Sequence, residues 1–177
     1  YDLNTFCADD AILPTRGGDW DDGGLWRDLF THNWGVNNGL IISTWDYLYG
    51  VIVQCNQSID KLTELKELDP SNEYFDIYKA EVRGIRAMYY YYLLDMFARV
   101  PIVESSLTQM KDVKQSERSE VFNFVKKELE ESIPLLADEK SADQGEYYGR
   151  MTKAAAYFLM AKLALNAEVY TDNDWTD

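Results

Sequence analysis

Residues 41–65 read Ile41-Ile-Ser-Thr-Trp45-Asp-Tyr-Leu48-Tyr49-Gly-Val-Ile52-Val-Gln-Cys55-Asn-Gln-Ser-Ile59-Asp-Lys-Leu62-Thr-Glu-Leu65. Apolar residues recur here every three or four positions, from Ile41 and Trp45 through Ile52 and Cys55 to Leu65. That spacing places them on one face of a helix of 3.6 residues per turn. The stretch therefore predicts a long amphipathic helix, which Pro70 ends.

A second helical pattern follows the turn Asp69-Pro-Ser-Asn72. It stops before Val100-Pro101, because a residue that precedes proline resists helical geometry. The two patterns together predict a helical hairpin. Its second helix carries apolar residues at Tyr74, Tyr78, Val82, Ile85, Met88, Tyr92 and Met96. The run Tyr89-Tyr-Tyr-Tyr92 covers the whole circumference of a helix, so we expect some of these rings in the core and others outside it.

Two further helices are predicted in the second half of the chain. The third has an apolar face of Val121, Phe124, Val125, Leu129, Ile133 and Leu136. Ser119 is its candidate N-cap, and Thr152 caps a fourth, alanine-rich helix after the loop 137–149. We therefore predict an all-α fold of tetratricopeptide-like helical hairpins, with four long helices in residues 38–170 and a loop-rich segment in residues 1–37.

The loop-rich segment contains Arg16-Gly-Gly-Asp19-Trp20-Asp21-Asp22-Gly-Gly-Leu-Trp26-Arg-Asp-Leu-Phe30-Thr-His-Asn-Trp34. No helix or strand period holds across this stretch, and its glycines predict a loop. A flat indole bordered by carboxylates suits a sugar ring, whose C–H face stacks on the aromatic ring while its hydroxyls pair with polar groups. The alternative is that the indoles fold back and anchor the loop to the helices.

Composition and charge narrow the classes of function. The 177 residues carry 31 acidic and 17 basic side chains, a net charge of -14. An acidic surface repels phosphates, so nucleic acid is not an expected partner. The single histidine, His32, argues against zinc sites and hydrolase triads, and the calcium-like run at Asp19 has Phe30 in place of the twelfth-position Glu. We predict no enzyme activity, no metal and no cofactor.

Several motifs appear in an order that resembles the SusD/RagB family of outer-membrane glycan-binding lipoproteins. They cover nearly the whole chain and are Ala8-Asp-Asp10, Pro14-Thr-Arg-Gly-Gly-Asp-Trp-Asp-Asp-Gly-Gly-Leu-Trp26, Trp45-Asp-Tyr-Leu-Tyr49, Lys79-Ala-Glu-Val-Arg-Gly-Ile-Arg86, Leu94-Asp-Met-Phe-Ala-Arg-Val-Pro101 and Gly149-Arg-Met-Thr-Lys153. Members of that family are about three times longer, so the chain is expected to be a fragment of a longer protein.

The resemblance implies a tetratricopeptide-like scaffold on the outer face of the outer membrane. It would capture an oligosaccharide or polysaccharide without catalysis and pass it to a SusC-like, TonB-dependent transporter. Membrane association would come only from an N-terminal lipid anchor that this chain lacks. The positions that fit the family's sugar-contacting loop are Trp20, Trp26, Asp19, Asp21, Asp22 and Arg16. A helical-repeat module that binds a protein is the alternative, and a glycoside hydrolase is a more distant one.

Overall fold

The computed structural model describes residues 2–8, 10–138 and 147–172. Asp9 of the first family motif and part of the predicted loop 137–149 lie outside the described residues. The chain divides into two compact units, Tyr1–Tyr47 and Leu48–Asp177. In the described ranges the regular elements are all helical. The α-helices are α1 (Asp2–Phe6), α2 (Leu25–Phe30), α3 (Gly39–Leu68), α4 (Tyr74–Phe97), α5 (Arg118–Ser132), α6 (Lys153–Leu165) and α7 (Ala167–Tyr170), with short 3-10 turns at Asp22–Gly24, Met110–Asp112 and Ile133–Leu135.

The first unit contains two short helices, α1 and α2, that the sequence did not predict. Within the stretch expected to be a loop throughout, α2 forms over Leu25–Phe30. Leu29 is fully buried and Phe6 of α1 packs edge-on against Trp26 of α2, with 4.9 Å between ring centroids. A helix of six residues is too short for a periodic pattern to stand out, so it depends on these contacts rather than on its own propensity.

The four long helices of the prediction are α3 to α6. Helices α3 and α4 run antiparallel, because residues late in α3 bond residues early in α4: Lys66 with Asp76 at 2.7 Å, Thr63 with Lys79 at 2.9 Å and Asn56 with Arg86 at 2.8 Å. Helix α4 also packs closely on α5, and α6 packs on both. These successive hairpins make up the predicted tetratricopeptide-like, all-α arrangement.

The buried face of α4 is not the apolar stripe that its sequence suggests. Tyr74, Tyr78 and Tyr92 are exposed, whereas the buried residues include Ala80, Gly84, Arg86, Ala87, Tyr90, Tyr91, Leu93 and Leu94. The reason is close packing of neighbouring helices: a Cβ atom on Gly84 would lie 2.7 Å from Cγ of Met151. Small residues allow that approach, and they are invisible to a search for large apolar side chains. As expected, the tyrosine run divides, with Tyr90 and Tyr91 in the core.

Other expectations for the core mostly hold. Val121, Val125 and Leu129 of α5 are fully buried. Trp45 is only half-buried, although its place in the α3 pattern predicts a core residue. Cys7 and Cys55 are both free thiols.

The N-terminus of α5 corrects a further prediction. Its N-cap is Glu117, not Ser119, and the helix begins at Arg118. The Glu120 side chain accepts a hydrogen bond from the Glu117 amide at 2.7 Å. This reciprocal arrangement, a capping box, places the N-cap two residues before the serine, so the helix already includes Ser119. Thr152 does occupy the N-cap position of α6, but its buried hydroxyl makes no capping hydrogen bond, so the predicted side-chain cap is not formed.

A buried cluster of charged residues joins α4 to α5. Glu128 and Arg86 are almost fully buried. One carboxylate oxygen of Glu128 accepts two hydrogen bonds from Arg86 at 2.6 and 2.8 Å, and the other accepts two from Arg83 at 2.6 and 2.9 Å. Further hydrogen bonds from Arg86 reach Asn56 and the Glu104 carbonyl. Each buried charge is therefore paired, which is the condition for burying it at tolerable cost.

The segment after α4 is held against α3 by polar contacts. Tyr49 donates a hydrogen bond to the Pro101 carbonyl at 2.7 Å, and Asn56 donates one to the Val103 carbonyl at 2.7 Å. Asp60 accepts hydrogen bonds from the amide and hydroxyl of Ser106 and from the Ser105 hydroxyl. These contacts satisfy backbone groups of an extended segment, which also forms an isolated antiparallel bridge between Pro101 and Gln115.

Candidate functional site

The candidate site lies within the first unit, and a tight turn opens it. The backbone amides and carbonyls of Arg16 and Asp19 bond each other at 3.1 and 3.2 Å across Gly17 and Gly18. Gly17 has φ of 65°, which glycine adopts without steric cost. Both flanking side chains, Arg16 and Asp19, are exposed. The turn therefore presents a guanidinium and a carboxylate to solvent just ahead of Trp20.

The next residues form a left-handed bend. Trp20 and Asp22 have φ of 58° and 40°, and Gly23 and Gly24 follow with 66° and 89°. Positive φ is uncommon for residues with a side chain, and it clusters at sites where the fold holds a group in a required position. At Gly24 the φ of 89° favours glycine, whereas a Cβ atom there would clash only with the end of the flexible, exposed Arg27 side chain, which can move aside.

The indoles of Trp20 and Trp26 differ in their surroundings. Trp26 is half-buried, donates its Nε1–H to Asp22 Oδ2 at 2.8 Å, and packs against Phe6. Trp20 meets the Trp26 ring edge-on at 6.2 Å and leaves 55% of its surface in solvent. Trp26 is therefore tied to α1 and to the Asp22 bend, whereas Trp20 is available to a ligand.

A third indole, Trp34, is also accessible and is 41% exposed. Its ring lies 5.3 Å from that of His32. His32 Nε2 is 2.7 Å from the Cys7 carbonyl oxygen, so the imidazole is itself held in place. Contacts of this kind reduce the entropy lost when an aromatic ring stacks on a ligand.

An open cavity of about 510 Å³ lies beside this loop. Its lining comes from the left-handed bend, from α2 and from the segment that leads into α3. The lining residues are Asp22, Gly23, Leu25, Asp28, Gly35, Val36, Asn37, Asn38 and Gly39. Its volume falls within the roughly 300–1,000 Å³ of small-molecule sites, but its lining is mainly polar residues and glycines, with Leu25 and Val36 as the larger apolar side chains.

Asn38 builds the far wall of the cavity by starting α3. Its side-chain Oδ1 accepts a hydrogen bond from the Leu40 backbone amide at 3.0 Å, and the Asn38 backbone N–H donates one to the Gly35 carbonyl at 3.0 Å. The Asn38 side chain is therefore committed to capping the helix. Asn37 stays exposed, and with Asp22 and Asp28 it supplies the polar groups of the lining.

The six residues selected from the sequence do not form one cluster in the cavity. Asp22 lines it, whereas Arg16, Asp19 and Asp21 are exposed residues of the loop, and Trp26 supports Asp22. Sequence reasoning missed Asp28, Asn37, Asn38 and the accessibility of Trp34. The helix-capping role of Asn38 could have been predicted, because Asn37-Asn38-Gly39 directly before an apolar repeat is typical of a helix start.

The described residues offer neither a metal-ion cluster nor a membrane-spanning helix. In residues 2–8, 10–138 and 147–172 no group of three or more His, Cys, Asp or Glu side chains is arranged to hold a metal ion. Among the helices described, none combines the length and apolar character needed to cross a membrane.

Comparison with known proteins identifies the family of the chain. Residues 19–165 match the model of a SusD-like family described as starch-binding and associating with the outer membrane. The chain belongs to the SusD-like family. The match includes the Asp19 turn, the cavity and helices α3 to α6.

Three relatives illustrate the range of this SusD-like family. Starch-binding protein SusD of Bacteroides thetaiotaomicron is 34% identical over 93 residues, 52% of this chain and 16% of SusD. Surface glycan-binding protein A of Bacteroides uniformis superposes with a TM-score of 0.76 at 26% identity, over 95% of this chain and 37% of that protein. A laminarin-binding SusD-like protein superposes with a TM-score of 0.71 at 26% identity, over 86% of this chain and 32% of that protein. The match with SusD thus spans about a sixth of that protein, and the superpositions span about a third of these solved structures.

Proposed function

We propose that this chain binds an oligosaccharide or polysaccharide without catalysis, on the outer face of the outer membrane, and delivers it to a TonB-dependent, SusC-like transporter. The single observation that carries the proposal is the pair of solvent-accessible indoles, Trp20 and Trp34, in the loop that walls an open polar cavity. Membership of a family described as starch-binding supports the proposal, as does similarity to a starch-binding and a laminarin-binding protein.

The proposal gives each residue of the site a physical task. Trp20 and Trp34 offer flat apolar faces to the C–H groups of sugar rings. The Asp22 carboxylate only accepts hydrogen bonds, whereas the Asn37 side-chain amide both donates and accepts them. Together they can bond a sugar hydroxyl that acts as either donor or acceptor. Arg16, Asp19 and Asp21 lie farther out and would contact neighbouring sugar units of a longer chain. Trp26 acts as a positioning residue, because it holds Asp22 rather than the ligand.

Binding without hydrolysis is the expected outcome at this site. A glycoside hydrolase needs two carboxyl groups whose environments differ enough to make one an acid and the other a base or nucleophile. Asp19 and Asp21 are both exposed on the loop. Asp22 is already engaged by the Trp26 indole. These carboxylates suit hydrogen bonding to hydroxyls better than proton transfer.

Delivery to a transporter sets the expected affinity. A protein that passes its cargo onward must release it quickly, so the dissociation constant should be on the order of micromolar to millimolar, about -4 to -8 kcal/mol. Nanomolar binding of a free oligosaccharide would contradict the delivery role while leaving glycan binding intact.

Affinity electrophoresis against soluble glucans, fructans, xylans and host-type glycans tests the proposal. We expect retardation by at least one glycan with no release of reducing sugar. Trp34→Ala and Trp20→Ala should each weaken binding roughly tenfold. Tyr74→Ala is the matched control, because that ring is 64% exposed but belongs to the second unit, and it should leave binding unchanged.

The other outcomes identify the alternatives. Release of reducing sugar would show a hydrolase. Absence of retardation by every glycan in the panel would favour a helical-repeat module that binds a protein. Equal losses in the two indole variants and the Tyr74 control would show that the loop is not the site.

A further inference from the structure

The charged side chains that line the cavity are all of one sign. Asp22 and Asp28 contribute carboxylates, and none of the described residues in the lining is a lysine or an arginine. Lysine and arginine are the residues that bind carboxylate and sulfate groups through charge-assisted hydrogen bonds. In the part of the chain that the structure describes, the cavity wall therefore offers no cation to an acidic sugar.

The two arginines of the surrounding loop lie beside carboxylates of their own. Between Arg16 and Gly39 the chain has four acidic residues and two basic ones. Arg16 and Asp19 are the exposed ends of the tight turn, and Arg27 Nε lies 3.9 Å from Asp28 Oδ1. Pairs between accessible side chains are weak, so they bring little positive charge to the cavity. The loop as a whole keeps a negative balance.

The Asp22 carboxylate is held in place but not neutralised. Its Oδ2 accepts a hydrogen bond from the Trp26 indole at 2.8 Å, and an indole N–H carries no net charge. The remaining lone pairs of Asp22 need donors, which sugar hydroxyls can supply. An ionised sugar carboxylate only accepts hydrogen bonds, so it would replace a donor with a second acceptor of like charge. Two such charges about 4 Å apart in water weaken binding about fivefold.

The field of the whole chain acts in the same direction but over a longer range. A net charge of -14 repels anionic polymers and slows their association. Salt screens this part, since the Debye length is about 8 Å at physiological ionic strength. Asp22 and Asp28 lie in the cavity wall itself, where a bound sugar would meet them directly. We therefore expect these two residues to dominate any selection by charge.

We propose that the cavity selects uncharged sugar units and rejects those that carry uronate, sialic acid or sulfate groups, with Asp22 and Asp28 as the residues that determine this selectivity. The inference rests on the proposed function, because it names the class of glycan that the same site accepts. The indoles of Trp20 and Trp34 stack on neutral and acidic sugars alike, so they supply affinity without selecting by charge.

Pairs of glycans that differ mainly in charge test the proposal in the 177-residue chain. The pairs are a soluble glucan and a fructan, each before and after oxidation of C6 hydroxymethyl groups to carboxylates, arabinoxylan with glucuronoxylan, and a mucin-type glycan without and with its sialic acid. Calorimetry should show at least about tenfold weaker binding of the acidic member, which corresponds to about 1.4 kcal/mol. Equal affinity for the two members of each pair would contradict the proposal.

A control ligand separates charge from shape. The methyl ester of the oxidised glucan or fructan is neutral but keeps the altered C6 group. It should recover most of the affinity that oxidation removed. An ester that binds as weakly as the free acid would show that the C6 hydroxyl itself is required, and selection by charge would be wrong.

Asp22→Asn and Asp28→Asn assign the selectivity to particular residues. Each removes one negative charge and nearly preserves the side-chain size, so the ratio of neutral to acidic affinity should fall several-fold. The ratio is the readout because both aspartates are also placed to bond hydroxyls of the neutral ligand. Glu67→Gln is the matched control: it removes the same charge from an exposed position in the second unit and should leave the ratio unchanged. An equal fall in all three variants would assign the selectivity to net charge and not to the cavity.

Salt provides a further readout. Raising the ionic strength from 0.1 M to 1 M shortens the Debye length from about 10 Å to about 3 Å, so the ratio of neutral to acidic affinity should fall. A ratio independent of salt would argue against a charge effect. Tighter binding of the acidic members would overturn this inference and leave glycan binding intact. Binding of no glycan, neutral or acidic, would instead remove the proposed function and this inference with it.

Discussion

In the first unit, Trp20 and Trp34 keep 55% and 41% of their surface in solvent, whereas in the second unit Tyr90 and Tyr91 are 0% and 4% exposed. Carboxylates differ in the same way. Asp19 and Asp21 stand in solvent on a glycine-rich bend, but Glu128 is buried between two arginines. The same residue types are thus accessible to solvent in one unit and buried in the core of the other.

The cause of this difference lies in the backbone. In the second unit the helices satisfy their own amides and carbonyls, so side chains are free to fill the core. In the first unit six residues from Gly17 to His32 have positive φ, and the irregular turns that they form leave side chains exposed beside a cavity. We therefore expect mutations in the second unit to change the free energy of unfolding, and mutations in the first unit to change ligand binding.

The largest effect is expected at Glu128. Glu128→Ala leaves Arg86, 3% exposed, without its carboxylate, and an uncompensated buried charge costs about 3–5 kcal/mol. Urea unfolding followed by circular dichroism measures the loss. The double variant Glu128→Leu with Arg86→Met should recover much of it, because removing both charges also removes the unpaired one. No recovery in the double variant would show that the cluster acts through packing alone.

Gly84 tests the close packing of α4. Gly84→Ala places a methyl group 2.7 Å from Cγ of Met151, and overpacking of this kind costs about 1–3 kcal/mol. Gly50 is the matched control, because a Cβ atom on this α3 glycine meets nothing within 4 Å. Gly50→Ala should stabilise the chain by about 0.4–1 kcal/mol through the unfolded state. Melting curves in which both variants gain stability would show that α4 and Met151 separate easily.

The two neighbouring indoles of the first unit should behave differently. Trp26→Ala removes the hydrogen bond to Asp22 and the contact with Phe6, at a cost of about 2 kcal/mol for a half-buried ring. Trp20→Ala should alter stability by no more than about 0.5 kcal/mol, as is usual for exposed positions. Chemical denaturation monitored by fluorescence measures both. Equal destabilisation would make Trp20 an anchor as well and would weaken the contrast between the units.

The smallest effect is a pH dependence in the second unit. Burial raises the pKa of Asp60, but hydrogen bonds from Ser106 and Ser105 outweigh it and hold that pKa below the ordinary value of 3.8. The stability that Asp60 contributes is therefore fully present above about pH 4 and is lost as the pH falls through the lowered folded pKa. Stability measured from pH 6 to pH 2 should show Asp60→Asn below the parent at first, with the gap narrowing below pH 3.8. A constant gap would mean that the Asp60 charge is irrelevant.

The sequence by itself determined the all-α class, the four long helices, the turn at Pro70 and the buried face of α5. These follow from periodicity and from proline geometry, which act within a few residues. It also identified the loop that contains Trp20, Trp26 and Asp22, because indoles among aspartates and glycines stand out in composition alone.

Only the tertiary structure decided which face of α4 is buried, because that choice depends on how closely Met151 approaches Gly84. It also decided that Asp28, Asn37 and Asn38 join Asp22 around one cavity and that Trp26 supports the bend while Trp20 and Trp34 face solvent. The pairing of Arg86 with Glu128, 42 residues apart, was equally out of reach of sequence reasoning. The contacts of Gly84 with Met151 and of Arg86 with Glu128 join segments distant in sequence, about which local patterns carry no information. The arrangement around the cavity depends on the irregular backbone between Asp22 and Gly39, which follows no helix or strand period.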